Sequence, residues 1–260
     1  MPILFKSVKV QINIFLAAFA VFLYLKNPDL VLLSGFFWAV LFSVLLEGAF
    51  LFHKTKKFQV TDSALTSGLI IGYVLSSGSP WWMFLSVATF TVGLKRILRF
   101  RGKNLLNPAA LGIFLAALLF KGTTEWKGAY EWYILIPAGL YLVHKIKKLE
   151  IVWGYLGMSL LLFVPQALLQ GTSLLNIPGY FNFFFIFIML IEPKTTPPTL
   201  WPKIAFGAGT ALLVFLLTEW GFHYEPELFA LLIMNAMVPF LSKIPNFKFP
   251  ISKIPSKETL

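Results

Sequence analysis

The chain has 260 residues, of which 58% are hydrophobic and only 13% charged, against about a quarter charged in soluble domains. That balance excludes a water-soluble core of this size, and the lack of cysteine excludes disulfides, thiolate-held iron–sulfur clusters and a cysteine nucleophile within the chain. The net charge of +11 reads as membrane topology rather than nucleic-acid binding, because the basic residues sit in short loops between apolar runs.

Apolar runs fall near 9–25, 29–51, 63–77, 81–97, 106–120, 131–144, 151–170, 179–191, 202–218 and 227–241, which predicts about ten spans in an all-α polytopic membrane protein. The first run has no small-residue cleavage site before the next span, so no cleavable signal peptide is expected. The third and eighth runs are short. Each borders a polar, turn-rich stretch, Ser76-Ser-Gly-Ser-Pro80 and Glu192-Pro-Lys-Thr-Thr-Pro-Pro-Thr199. Interrupted segments at corresponding places in two halves point to a binding site at the membrane midplane.

With the N-terminus placed in the cytoplasm, the inward loops hold 19 of the 22 basic residues. They are Lys6 and Lys9; Lys54, Lys56 and Lys57; Lys95, Arg96, Arg99, Arg101 and Lys103; Lys145, Lys147 and Lys148; Lys194 and Lys203; and Lys243, Lys248, Lys253 and Lys257. Only Lys26, Lys121 and Lys127 face out. This asymmetry predicts a multi-pass protein of the cell membrane with both termini cytoplasmic, and its lipids as constant neighbours. Five spans per half is an odd number, so two such halves are inverted with respect to each other. The expected boundary separates residues 1–125 from 126–260. Asn107-Pro108 opening the fifth span and Glu225-Pro226 opening the tenth are its sequence echo.

The run Arg101-Gly-Lys-Asn-Leu-Leu-Asn-Pro-Ala-Ala-Leu-Gly112 is the densest polar feature. Proline costs nothing in the first turn of a helix, and Asn107 before it is a natural cap. A positive helix end and two amides, Asn104 and Asn107, are thereby set beside an apolar span. Two readings stand for this pair: ligand contacts, or a cap and a loop closure. The same choice applies to Asp62, Ser63 and Thr66 at the start of the third span, which either line a ligand or ion path or satisfy backbone groups. Glu47 is an ionisable group late in a span, there for function, or else snorkelling or paired with a lysine of the next loop. The Glu192 stretch is too polar for lipid contact and is expected to form a re-entrant turn, with Thr195 and Thr196 in reach of the site. His53, His144 and His223 are scattered and do not suit haem ligation. Trp81 and Trp82 read as interfacial anchors. No Ser–His–Asp set, phosphate loop or metal-ligand spacing appears.

Taken together and in order, these motifs resemble one family. Thr61-Asp-Ser-Ala-Leu-Thr-Ser-Gly with Ser79-Pro-Trp-Trp-Met83 is similar to its third-span pattern, and Asn104-Leu-Leu-Asn-Pro-Ala109 to its Asn-x-x-Asn-Pro-Ala motif. Glu192-Pro-Lys-Thr195 resembles its Asp-Pro-x-Thr turn, and Tyr224-Glu-Pro-Glu with Leu231–Pro239 its last span. The family holds the D subunit of the Rnf electron-transport complex and the B subunit of the sodium-pumping NADH:quinone oxidoreductase. The resemblance implies a urea-channel-like scaffold, a flavin between the two halves and other redox subunits as partners. It implies a binding set of Asn104, Asn107, Pro108, Lys103, Asp62, Ser63, Thr66 and Thr195.

One motif departs. The loop Lys121-Gly-Thr-Thr-Glu-Trp-Lys-Gly-Ala-Tyr130 lacks the flanking pattern around the threonine that carries FMN in the family. The expectation is therefore non-covalent riboflavin or FMN in a membrane redox subunit. The alternative is a channel or transporter for a small neutral solute or a flavin on the same scaffold. A purely structural subunit is the third reading.

Overall fold

The computed structural model of the chain describes residues 7–100, 102–171 and 181–243, and the side chain of Lys103 lies outside that description. Every predicted run contains a helical element. They are α1 (Val8–Lys26), α2 (Leu30–Thr55), α3 (Asp62–Val74), α4 (Trp81–Ile97), α5 (Pro108–Phe120), α6 (Trp132–Lys145), α7 (Leu149–Leu169), a π-helical segment (Phe185–Met189), α8 (Leu200–Glu219) and α9 (Pro226–Leu241). A two-stranded hairpin, β1 (Arg99–Phe100) and β2 (Lys103–Asn104), joins α4 to α5, with Arg99 opposite Asn104. Among the described residues, α1, α2, α7 and α8 are long and apolar enough to cross a membrane, and α5 and α9 are shorter apolar helices. The chain is an all-α polytopic membrane protein.

The short elements occupy the centre. From Gly68 to Val74 every residue of α3 is buried, and so is every residue of the π segment. A segment apolar on all sides belongs inside, where no lipid or water is left to it. Tyr73 of α3 meets Phe184 with ring centroids 4.7 Å apart and donates its hydroxyl hydrogen to the Leu16 carbonyl at 2.6 Å. Long helices surround this core, and many of their large side chains face outward, among them Val21, Phe37, Trp153, Leu161 and Phe240.

The packing pattern repeats between halves. α1 lies on α3 as α6 lies on the π segment; α2 lies on α4 as α7 lies on α8; α4 lies on α5 as α8 lies on α9. Across the halves the equivalent helices meet, α1 with α6 and α5 with α9. Two five-element repeats therefore join around paired short segments.

Small residues set the helix spacing, as expected where no hydrophobic effect drives helices together in lipid. A Cβ on Gly207 of α8 would stand 2.1 Å from the Ile151 carbonyl oxygen and 2.8 Å from the Tyr155 nitrogen of α7, both backbone atoms. Gly207→Val is expected to force α7 and α8 apart. The overpacking cost, about 1–3 kcal/mol, should appear as a lower thermal midpoint in detergent; an unchanged midpoint would show that the two helices are not packed at this distance.

Candidate functional site

A partly open cavity of about 140 Å³ lies where the basic-side ends of several elements converge. Ile12 of α1, Ile70 of α3, Pro108 of α5, and Phe187, Ile188 and Ile191 of the π segment and its exit form apolar walls. The polar lining is Ser63, Thr66 and Ser67 of α3, Asn104 and Asn107 beside α5, Lys9 of α1, and Glu192 and Lys194 of the following loop. Five of the sequence-predicted residues, Asn104, Asn107, Pro108, Ser63 and Thr66, are thus brought to one place from two separate stretches of chain.

Their roles differ. Asn107 is buried and structurally committed: its Oδ1 accepts the Ala110 N–H at 3.1 Å, and its Nδ2 reaches the Met189 carbonyl at 3.4 Å. Its own backbone N–H donates to Asn235 Oδ1 at 2.9 Å, and Asn235 Nδ2 donates to the Thr195 carbonyl at 3.2 Å. Asn107 and Asn235 therefore tie the start of α5 to α9 and to the end of the π segment. Asn104 is half-buried on the cavity wall, and its amide has no partner among the described residues.

Thr66 shares its hydroxyl hydrogen between Asn13 Oδ1 and the Asp62 carbonyl, both at 2.7 Å. Asn13 Nδ2 donates to the same carbonyl at 3.1 Å. Ser63 Oγ accepts from Lys95 Nζ at 3.4 Å. Lys95 pairs with Glu47, whose other oxygen accepts the Thr61 hydroxyl at 3.0 Å. Glu47 is thus buried against a lysine of α4 rather than one of the next loop. This Thr61–Glu47–Lys95–Ser63 chain fixes the start of α3 at the cavity rim.

Two predicted residues stay outside. Asp62 is exposed in the first turn of α3, and the cap there is Thr61, whose Oγ1 accepts the Ala64 N–H at 3.1 Å. Thr195 is buried in the turn, with its hydroxyl 3.5 Å from the Glu192 carbonyl, behind the lining rather than in it. The side chain of Lys103 lies outside the described residues.

Three lining groups escape the sequence reading: Lys9, Lys194 and Glu192 itself, which in sequence is only part of a turn. Glu192 sits in the loop beyond the π segment, and burial pushes its carboxyl up to about 7 despite Lys194, Lys9 and Lys95 nearby. Burial and then the neighbouring Lys9 ammonium hold Lys194 below the usual lysine range. A carboxyl beside two crowded ammonium groups, at the rim of an apolar slot, can exchange a proton near neutrality. Asn13 and Asn235 also escape it as network members. An isolated asparagine inside an apolar run is the signal that finds both.

On the opposite side, the interrupted end of α3 is closed by the loop between α5 and α6. The N–H groups of Glu125 and Lys127 donate to the carbonyls of Val74 and Tyr73 at 2.9 and 2.8 Å. The buried Lys127 ammonium caps the Gly72 carbonyl at 2.9 Å and also the Leu75 carbonyl. Burial lowers Lys127 to about 8, with Glu125 opposing the shift. Thr124 and Trp126 donate to the Glu225 carboxylate before α9, the counterpart of Asn107 before α5.

A helical membrane protein with paired interrupted segments and one amide-lined cavity is the class these features define. A model described as the NQR2, RnfD, RnfE family matches the chain twice, over residues 5–133 and 124–248, and the chain belongs to that family. The double match agrees with the repeat seen in the packing. Relatives named as the D subunit of an ion-translocating oxidoreductase complex include one from Marinobacter nauticus, 23% identical over 78% of this chain and 79% of its own. One from Ectopseudomonas mendocina is 22% identical over 77% of this chain and 79% of its own. A Yersinia enterocolitica protein of the same name is 34% identical over a shorter stretch, 34% of this chain and 26% of its own.

Asn107→Ala is expected to cost about 1–2 kcal/mol of stability through the lost cap and the freed Met189 carbonyl, whereas Asn104→Ala changes stability by no more than about 0.5 kcal/mol. Equal effects in thermal unfolding would contradict this division of labour. Glu192 binds its proton more tightly folded than unfolded, so its own contribution to stability is fully present below about pH 4.5 and is lost as pH rises through about 7. Glu192→Gln should remove that share, changing the slope of melting temperature against pH between about 4.5 and 7; a slope identical to the parent's would exclude a contribution from Glu192.

Proposed function

We propose that the chain is the membrane subunit of an ion-translocating electron-transport assembly and that its cavity holds a non-covalent flavin, riboflavin or FMN. The observation that carries the reading is the union of Asn104, Ser63 and Thr66 with apolar walls at the starts of α3 and α5. A flavin ring presents carbonyls and ring nitrogens along its edges and large apolar faces, and this lining offers the Asn104 amide and the Ser63 hydroxyl as donors, with Thr66 as an acceptor, between aliphatic and aromatic walls. Membership of the family and the names of the relatives support the redox assignment. When bound, the flavin supplies one- and two-electron transfer.

The chain's own residues do the rest. Asn104 orients the ring edge, Pro108 and Ile188 pack on its faces, and Lys9 and Lys194 favour negative charge at the mouth. Asn107 and Asn235 hold the wall rigid rather than touching the ligand. Glu192 offers a proton-exchanging group at the rim. The assembly supplies electron donor and acceptor through other redox subunits. The protein sits in the cell membrane with its lysine-rich side in the cytoplasm, and the two repeats divide near residue 125.

Purified chain is expected to be yellow, with flavin near one per polypeptide that denaturation releases, leaving an intact mass without flavin. Asn104→Ala should weaken riboflavin binding about fivefold, the worth of one hydrogen bond of about 1 kcal/mol, as read from flavin fluorescence quenching. Colourless protein that fails to quench riboflavin and conducts a small solute in liposomes would replace this reading with the channel.

A further inference from the structure

A second concavity lies on the membrane-facing surface, between the symmetry-equivalent helices α1 and α6. It measures about 370 Å³. The two helices touch sparsely along their length and are clasped at both ends. At one end Lys26 Nζ lies 2.6 Å from Glu131 Oε1, and Tyr133 donates to the same carboxylate. At the other, Lys145 Nζ donates to Gln11 Oε1 at 2.7 Å and to the Tyr141 hydroxyl at 3.3 Å. Between the clasps, Ile14 and Phe15 face Ala138 and Leu142 across an apolar trough. Ala138 is the residue that makes the room; it follows Pro137, which interrupts the hydrogen bonding of α6.

The two ends differ in charge. The Lys26 end is neutralised by Glu131. The Lys145 end carries no paired carboxylate among the described residues, and Lys145 is exposed there, as is its neighbour Lys147. An apolar trough on the lipid side with an unneutralised ammonium and a phenol hydroxyl at its basic end matches an acyl chain joined to an anionic headgroup. A zwitterionic headgroup would bring a second cation to the same place.

We infer that the α1–α6 groove is a binding site for one anionic phospholipid, with an acyl chain between Ile14 and Ala138 and its phosphate at Lys145 and Tyr141. The site is separate from the cavity and does not depend on flavin. The lipid fills a seam where the two repeats touch sparsely, so it bonds one half to the other.

Full-length protein in mild detergent would be incubated with equal phosphatidylglycerol and phosphatidylcholine, and retained lipid counted by native mass spectrometry. One phosphatidylglycerol per chain is expected in preference to phosphatidylcholine. Lys145→Gln should cut that preference about fivefold. Ala138→Phe should remove the bound lipid by filling the trough, with thermal unfolding confirming that the variant is folded. Lys243→Gln, on the same basic side but away from the groove, should leave retention as it was. Equal retention in Lys145→Gln, or equal loss in Lys243→Gln, would show diffuse attraction to a basic surface and overturn the site.

Discussion

The fold depends on satisfying the backbone of two interrupted helices inside an apolar protein. A helix end leaves up to four polar groups without partners, and each unpaired group costs several kcal/mol where water is absent. α3 stops at Val74 and the π segment stops at Met189, both in the interior. Each end is met by groups from elsewhere in the chain. The strand-like stretch 123–127 and the Lys127 ammonium close α3. Asn107 and Asn235 close the π segment and the turn after it. The repeats are thus interlocked by hydrogen bonds as well as by packing.

The same constraint creates the candidate site. Loops that cap the short segments on the basic side gather polar groups at the seam between the halves, and the residues not consumed by capping line the cavity. Asn104 and Asn107 show the sorting. They sit three residues apart in sequence, yet Asn107 spends its amide on the scaffold while Asn104 keeps its amide toward the slot. Glu192 belongs to the same turn as the capped Thr195 carbonyl, so the proton-exchanging group and the scaffold are mechanically one piece. Any ligand in this cavity is held by elements that the fold cannot move without exposing helix ends.

Much of this was legible in the chain itself. Hydropathy located every helical element among the described residues, because a span that faces lipid and a segment buried among spans must both be apolar. Proline after Asn107 announced the start of α5, and the polar stretches at 76–80 and 192–199 announced the interruptions. Ser63, Thr66, Asn104 and Asn107 were recognisable as a polar set. What hydropathy hides is direction. Asp62 and Ser63 are adjacent, and only the rotation of α3 sends one outward and the other to the rim. Glu47 was visible as an anomaly, but its partner Lys95, 48 residues on, is brought near by the packing of α2 on α4.

The sequence by itself determined the solvent, the number of spans, the lysine asymmetry and the places where helices break, since each follows from local transfer and backbone energetics. Tertiary structure alone decided which amide caps and which faces the cavity, that Lys9, Lys194 and Glu192 share its rim, and that Asn235 bridges α5 to the turn at Thr195. Those outcomes depend on contacts between residues up to 128 positions apart. Such contacts are set by how the two halves meet, and no local property of either half contains that information.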